Sequence, residues 1–307
     1  MDTSWRLLKH NATCCRIASP RWASAPGCSL SRCAPARQQQ PRLREKRGLT
    51  CTHTPRLQVH IWDVECGAAL AAAAPRLPQL VLCHLECVGA AEDTDVAART
   101  IVAGAPSWPH LANLRISRGH IGATAAQDLG AALAAFERLR VLDVRGNRLS
   151  ADDVVALLAH ASRWPQLRTA LLSGNKIGCV AALSQALPHW PLLGRLEVNS
   201  TRVSGEDGEA FIASLAHACP RLSQLGLRNS GVRGSTAAGL VRAIAGGAWK
   251  NLERLELGQN HLNAECARAL VAAVRRSCPR IAVVRVVGNS RAWSVVDAPA
   301  WFVCNDL

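Results

Sequence analysis

The chain of 307 residues contains no tyrosine, three phenylalanines and one methionine, so nine tryptophans supply most of its aromatic bulk. No run approaches the roughly 18 apolar residues of a membrane span, and no apolar core follows the basic start, so neither a membrane span nor a secretory signal is expected. Thirteen cysteines form an odd set without the regular spacing of a disulfide framework, which points to reduced thiols and an intracellular protein. The sequence has no GxxxxGK[ST], no GxGxxG after a strand, no HExxH and no GxSxG. These absences leave no recognisable nucleotide, zinc-protease or serine-hydrolase chemistry. No enzymatic activity, cofactor or small-molecule substrate is expected.

The net charge of +14 is unevenly spread. Residues 1–56 carry eleven Lys/Arg against Asp2 and Glu45, a balance of +9, and the remainder holds 25 basic and 20 acidic side chains, or +5. The basic character belongs mainly to the leading segment, and it argues little for nucleic-acid binding by the rest.

The presence that replaces these absences is a period. From Leu139 the stretch LRVLDVRGNRL is apolar at offsets 0, 3, 5 and 10, with Asn147 at offset 8. The frame recurs from Leu167, Leu193, Leu222, Leu252 and Ile281, and upstream from Leu111 and, less cleanly, from Leu77. The steps are 34, 28, 28, 26, 29, 30 and 29 residues. Between the units lie helical stretches such as SADDVVALLAHASRW, which opens with Ser150 and Asp153 at capping-box spacing. Each unit therefore reads as a short strand, a turn and a returning helix. Alternation sends Leu142 and Val144 to the core and Val141, Asp143 and Arg145 to the opposite face. No unit can bury its apolar face alone, so the units must stack.

This pattern resembles the leucine-rich repeat, in the ribonuclease-inhibitor type shared with Ran GTPase-activating protein and NOD-like receptors, over about residues 75–291. The resemblance implies an α/β solenoid, a horseshoe arc with a parallel sheet on the concave face and helices on the convex face. It also implies that the offset-eight asparagine turns inward and holds backbone groups left unpaired by the bending chain. That makes Asn147, Asn175, Asn260 and Asn289 a structural ladder, with Gly119, Thr201 and Ser230 replacing asparagine and Leu85 breaking the pattern. Trp108, Trp164, Trp190 and Trp249 lie three residues before a repeat's first apolar position, where Phe136, Cys219 and Cys278 stand in other units. They read as one semi-buried packing slot, since a row for stacking bases would need exposed rings.

Three divisions follow. Residues 1–56 lack periodicity and are expected to be a disordered basic tail or sequence upstream of the true start, with a transit peptide and a nuclear signal in RLREKR as alternatives. Residues 57–291 form the repeat domain of about eight units, with residues 57–74 as a degraded first repeat. Residues 292–307 are expected to cover the exposed edge of the last unit.

Cys83, His84 and Cys87 could supply three metal ligands, but both cysteines fall on regular repeat positions, and no metal site is expected. What the repeat does not dictate is the exposed sheet face at offsets two, four and six. Arginines stand there at Arg115, Arg145, Arg195, Arg228, Arg254 and Arg285, and acids at Asp143, Glu197 and Glu256. Strands about 4.8 Å apart would set Asp143 beside Arg115 and Glu256 beside Arg285, with Glu197 following Arg195 along one strand. Arg145 and Arg228 would lack an acidic lateral neighbour. The candidate partner-binding set is Arg115, Asp143, Arg145, Glu197, Arg228, Glu256 and Arg285. The expected function is a non-enzymatic scaffold that binds a protein partner on this face. A small-GTPase regulator of the Ran type and nucleic-acid binding through the basic tail are the alternatives, and the chain as a sensor fragment of a larger receptor also stays open.

Overall fold

The computed structural model describes residues 56–61, 68, 71–87, 96–118, 121–175, 180–289 and 299–304. Every unit spends its alternating apolar pair on a short strand. The strands are β1 (Arg56–Ile61), β2 (Leu82–Cys87), β3 (Asn113–Ser117), β4 (Val141–Asp143), β5 (Thr169–Leu171), β6 (Arg195–Glu197), β7 (Gln224–Gly226), β8 (Arg254–Glu256), β9 (Val283–Arg285) and β10 (Phe302–Val303). They form one sheet in strict chain order, β1 to β10, with every neighbouring pair parallel. Ten strands span about 43 Å at ~4.8 Å per gap. The sheet is open, and helices return the chain along its other side.

The helices are α1 (Val96–Gly104), α2 (Ala123–Leu133), α3 (Ala151–Leu158), α4 (Ala181–Ala186), α5 (Gly205–Ala218), α6 (Gly234–Ala245) and α7 (Ala264–Ser277), and each packs on the next. α3 begins as its sequence predicts: Ser150 Oγ accepts from the Asp153 amide, and Asp153 Oδ2 accepts from the Ser150 amide at 2.8 Å. Asn263 caps α7 by accepting from the Cys266 amide at 2.8 Å. Gly130 permits the tightest approach between helices, since a Cβ there would lie 2.4 Å from the Ala156 carbonyl oxygen. The register confirms the repeat: Leu114, Leu142, Ala170, Leu196, Leu225, Leu255 and Val284 run side by side, and all are buried. This is a leucine-rich-repeat-like solenoid, with its core between sheet and helices.

Two details correct the sequence reading. Cys83 pairs in register with Leu114 and Leu85 with Ile116. The unit therefore begins at Leu80, not Leu77, and Leu85 is an ordinary core position rather than a broken ladder rung. Leu77 takes the slot that Trp108 takes one unit later: each accepts the amide three residues on, Leu80 at 3.1 Å and Leu111 at 3.1 Å. The tryptophan slot is also fully buried rather than half-buried. Trp108, Trp164, Trp190 and Trp249 are all 0% exposed. Three of their indole N–H groups donate to the preceding unit, at the carbonyls of Ala74 (2.9 Å), Leu133 (2.9 Å) and Ala161 (3.2 Å).

At the two ends the array continues. β1 extends the sheet from Arg56, with Leu57 buried beside Cys83, and residues 71–73 are helical. β10 pairs Phe302 with Val284 and Val303 with Arg285. The readings of residues 1–55 and of Gly119 lie outside the described residues.

Candidate protein-binding face

Beneath the face, the ladder fixes the turn that follows each strand. Asn147 Nδ2 donates to Val144 (2.7 Å) and Ile116 (2.8 Å), and Asn175 Nδ2 donates to Leu172 (2.7 Å) and Val144 (3.0 Å). Asn175 Oδ1 accepts from the amides of Asn147 (3.0 Å) and Leu149 (3.1 Å). Each asparagine thus ties its own turn to the one before. Asn260 repeats the pattern with Leu257, Leu227, Ser230 and Val232, and Asn289 with Val286, Leu257 and Leu262. Ser230 keeps part of it, with its hydroxyl reaching the Val198 carbonyl at 3.1 Å. Thr201 does not, and its Oγ1 is buried without a hydrogen-bond partner. The residue just before each rung has positive φ: Arg118, Gly146, Gly174, Ser200, Asn229, Gln259 and Gly288. The ladder is architecture, and it leaves the side chains above it free to vary.

Above it, the predicted residues divide. Arg115 pairs in register with Asp143 at the Cα level, yet Asp143 is engaged by Arg145. Arg145 Nε and Nη2 donate to the two oxygens of Asp143 at 2.9 and 2.8 Å, and a further Arg145 nitrogen lies 3.7 Å from Glu197. Arg145, expected to lack an acidic lateral neighbour, is thus occupied by an acid of its own unit instead. Arg145 stands in the turn two residues past Asp143, and its side chain is long enough to fold back on that carboxylate. The hydrogen bonds to Asp143 and the nearby carboxylates hold the Arg145 guanidinium above its usual pKa against the opposing effect of burial. Asp143 is 2% exposed.

Glu197 is taken from a second side by Arg195, whose Nε donates at 2.9 Å. Arg145 and Glu197 thus meet across β5. Leu171, level with Asp143 and Glu197 on the strand between them, is 5% exposed although it lies on the sheet face. This part of the face is closed over by its own ion pairs.

The other part is open. A depression of about 270 Å³ is lined by Arg195, Glu197, Asn199, Gln224, Gly226, Arg228, Arg254, Glu256 and Arg285, among others. Arg285 pairs with Glu256 at 3.2 Å, as the register predicts. Arg228 donates from Nε to Gln259 at 3.2 Å, and Asn199 Oδ1 accepts its backbone amide at 2.8 Å. Among the described carboxylates, none pairs with Arg115, Arg228 or Arg254, all of them exposed. The contribution of Gly226, Gln224, Asn199 and Gln259 to this site was not seen in the sequence. The available signal was glycine at offset four in LSQLGLRNS, where neighbouring units carry a side chain.

Cys83 faces the core, and burial raises its thiol pKa. Strand alternation puts His84 on the other face, so the two do not converge. Burial likewise pushes the Cys219 thiol up to about 12 and raises that of Cys278. Among the described residues no three His, Cys, Asp or Glu are grouped to hold a metal ion, and no helix is long and apolar enough to cross a membrane.

No protein-family model matches the chain, and no curated protein matches it. Among solved structures it is similar to a protein from Bacteroides fragilis, with 18% identity over 71% of this chain and 61% of that one and a TM-score of 0.44. It is also similar to the C-terminal domain of tropomodulin from Caenorhabditis elegans, with 12% identity over 60% of this chain and 93% of that one and a TM-score of 0.36. The chain spans 61% of the length of the Bacteroides protein. The architecture above rests on strand register and ladder, not on these likenesses.

Proposed function

We propose that the protein is a non-enzymatic interaction scaffold that binds a protein partner on the exposed face of its sheet. The observation that carries this reading is the open depression between β6 and β9. It is open to solvent and lined mainly by arginine, glutamate and amide side chains, whereas small-molecule sites are mostly apolar and able to enclose their ligand. A rigid sheet about 43 Å across, with side chains the repeat does not fix, offers room for a protein interface of ordinary size. Arginine is among the residues that dominate such interfaces. The ribonuclease-inhibitor subtype belongs to the same proposal, supported by units of 26–30 residues from Leu111 onward with a helix in each. So does an intracellular setting, supported by Cys83, Cys219 and Cys278 serving as small core residues.

The test is site-specific photocross-linking. A photoreactive side chain at Ser173 samples the sheet face, and one at Val155, 54% exposed on α3, samples the helix side. The reading expects one protein captured through Ser173 and not through Val155. Capture only through Val155, or equally through both, overturns it.

A further inference from the structure

We propose that the depression over β7 receives an extended acidic segment of the partner, held at its two ends by Arg254 and Arg228. The inference deepens the reading of the sheet face as a protein-binding surface and rests on it.

Gly226 sets the depth. At this level the neighbouring strands carry Glu197 and Glu256, and β7 carries no side chain. A Cβ at Gly226 would lie 3.0 Å from Asn199 Oδ1 and 3.1 Å from Glu197 Cγ. The bare position therefore leaves room for Glu197 of β6 and for Asn199, which follows β6, to close over the buried Gly226 and form the floor, where a side chain on β7 would displace them. Asn199 also accepts the Arg228 amide there, so the rim and the floor are tied together.

Charge sets the chemistry. Four arginines edge the depression, and two of them are already matched: Arg195 by Glu197 and Arg285 by Glu256. Arg228 and Arg254 have no carboxylate among the described residues. Gln259 holds Arg228 through Nε, which leaves the outer end of its planar fork for a second acceptor. Arg254 opens β8 level with Gln224, and Arg228 lies four residues beyond Gln224, in the turn after β7, where the amides of Leu227 and Asn229 still bond the Glu256 and Gly258 carbonyls; at an extended rise the separation is about 13 Å. That is the distance between acidic residues four apart on an extended segment.

The centre of the depression decides against other anions. Glu197 and Glu256 flank it, so a compact phosphate placed between the arginines would face two carboxylates. A nucleic-acid strand would meet the same carboxylates, and the lining offers no aromatic ring on which a base could stack. A peptide with neutral middle residues and acidic ends avoids both, and Gln224 and Asn199 present amide groups to its backbone.

The experiment is selection of a random peptide library displayed on phage against the full chain, followed by fluorescence anisotropy with the selected peptides. Selected peptides are expected to carry spaced Asp or Glu residues. Their Kd should rise roughly tenfold or more in Arg228→Ala/Arg254→Ala. It should stay within about twofold in Arg268→Ala/Arg275→Ala, which removes the same charge from exposed positions on α7. Gln224→Trp blocks the depression sterically, whatever its chemistry. Acid-free peptides that bind the parent but not Gln224→Trp overturn the acidic segment and leave the binding face standing. Peptides indifferent to Gln224→Trp and to the face double variant overturn both. Equal losses in the face and helix double variants reduce the effect to general charge attraction and overturn the proposal, as does a library that yields no binder. Circular dichroism and melting of each variant separate these results from misfolding.

Discussion

The sheet face is built from one vocabulary, arginine, glutamate, aspartate and small polar residues, yet its two parts behave oppositely. At β4 and at β6 an acid stands two residues from an arginine along the chain: Asp143 with Arg145, and Glu197 with Arg195. The pairs close on themselves, reach across β5 and bury Leu171. Over β7 the residue two before Arg228 is Gly226, and the arginine stays exposed with only Gln259 at its Nε. The difference teaches that charge counts on a repeat face mean little. An acid two residues away is not enough either: Glu197 is taken by Arg195 on its own strand, whereas Glu256, two residues after Arg254, pairs with Arg285 of the next strand and leaves Arg254 for a partner.

The largest effect that can sharpen this contrast lies beneath it. Asn147 bonds three backbone carbonyls at 3.4 Å or less, those of Ile116, Val144 and Arg145, within the closed part. Under the open part the corresponding rung is Ser230, a hydroxyl with the Val198 and Arg228 carbonyls at 3.1 Å. Asn147→Ala should cost about 2–3 kcal/mol, because several buried carbonyls lose their donor. Ser230→Ala should cost about 1 kcal/mol. Urea unfolding measures both, and equal losses would mean that the asparagine rungs do not carry more of the turn than the serine rung does.

A middle-sized effect breaks the contrast directly. Arg145→Ala leaves the nearly buried Asp143 carboxylate without its bidentate donor. The cost should be about 1–2 kcal/mol, after allowing for solvent at Arg145, whose side chain is 44% exposed. Arg228→Ala removes an exposed side chain with one amide contact and should change stability by about 0.5 kcal/mol or less. Thermal melts of the two variants should therefore differ. If Arg228→Ala proves the more destabilising, Arg228 is a structural residue and the contrast between the two parts fails.

These asymmetries mark what the sequence made legible. The period, the strand–helix alternation and the ladder were readable because each recurs, and a recurring residue type at one offset has one cause. The first unit misled because Leu77, Leu80, Leu82 and Cys87 satisfy offsets 0, 3, 5 and 10 as well as the true frame from Leu80 satisfies its own. A slot filled elsewhere by tryptophan held a leucine there, so the apolar pattern fitted two registers. The pairing of Arg145 was missed for a different reason. A lateral comparison of strands does not contain Asp143, which stands two residues back in the same unit, the geometry that Arg195 and Glu197 also show. The depression is marked in the sequence only by Gly226 at offset four, and a missing side chain does not record which neighbouring side chains lean into the gap.

The smallest effect concerns the seam between the two parts, at Thr201, which follows β6. In the regular ladder the asparagine amide donates to the carbonyl three residues back and to its counterpart one unit earlier, which for position 201 are Val198 and Leu172. Both carbonyls already accept one bond, from Ser230 and Asn175 respectively. A carbonyl has two lone pairs, and the Val144 carbonyl accepts from Asn147 and Asn175 together. Asparagine at this rung would also present Oδ1 to the Asn175 amide, as Asn175 does to that of Asn147. Thr201→Asn should therefore replace an unsatisfied buried hydroxyl with a bridging amide and stabilise the fold by about 0.5–1 kcal/mol, net of the lost methyl packing. Thr201→Val removes the hydroxyl at constant shape and should be neutral or slightly stabilising. The readout is the urea midpoint at unchanged slope. Destabilisation by asparagine together with tolerance of valine would show that the turn at the seam is built differently from its neighbours, with the two parts of the face meeting across a break in the ladder.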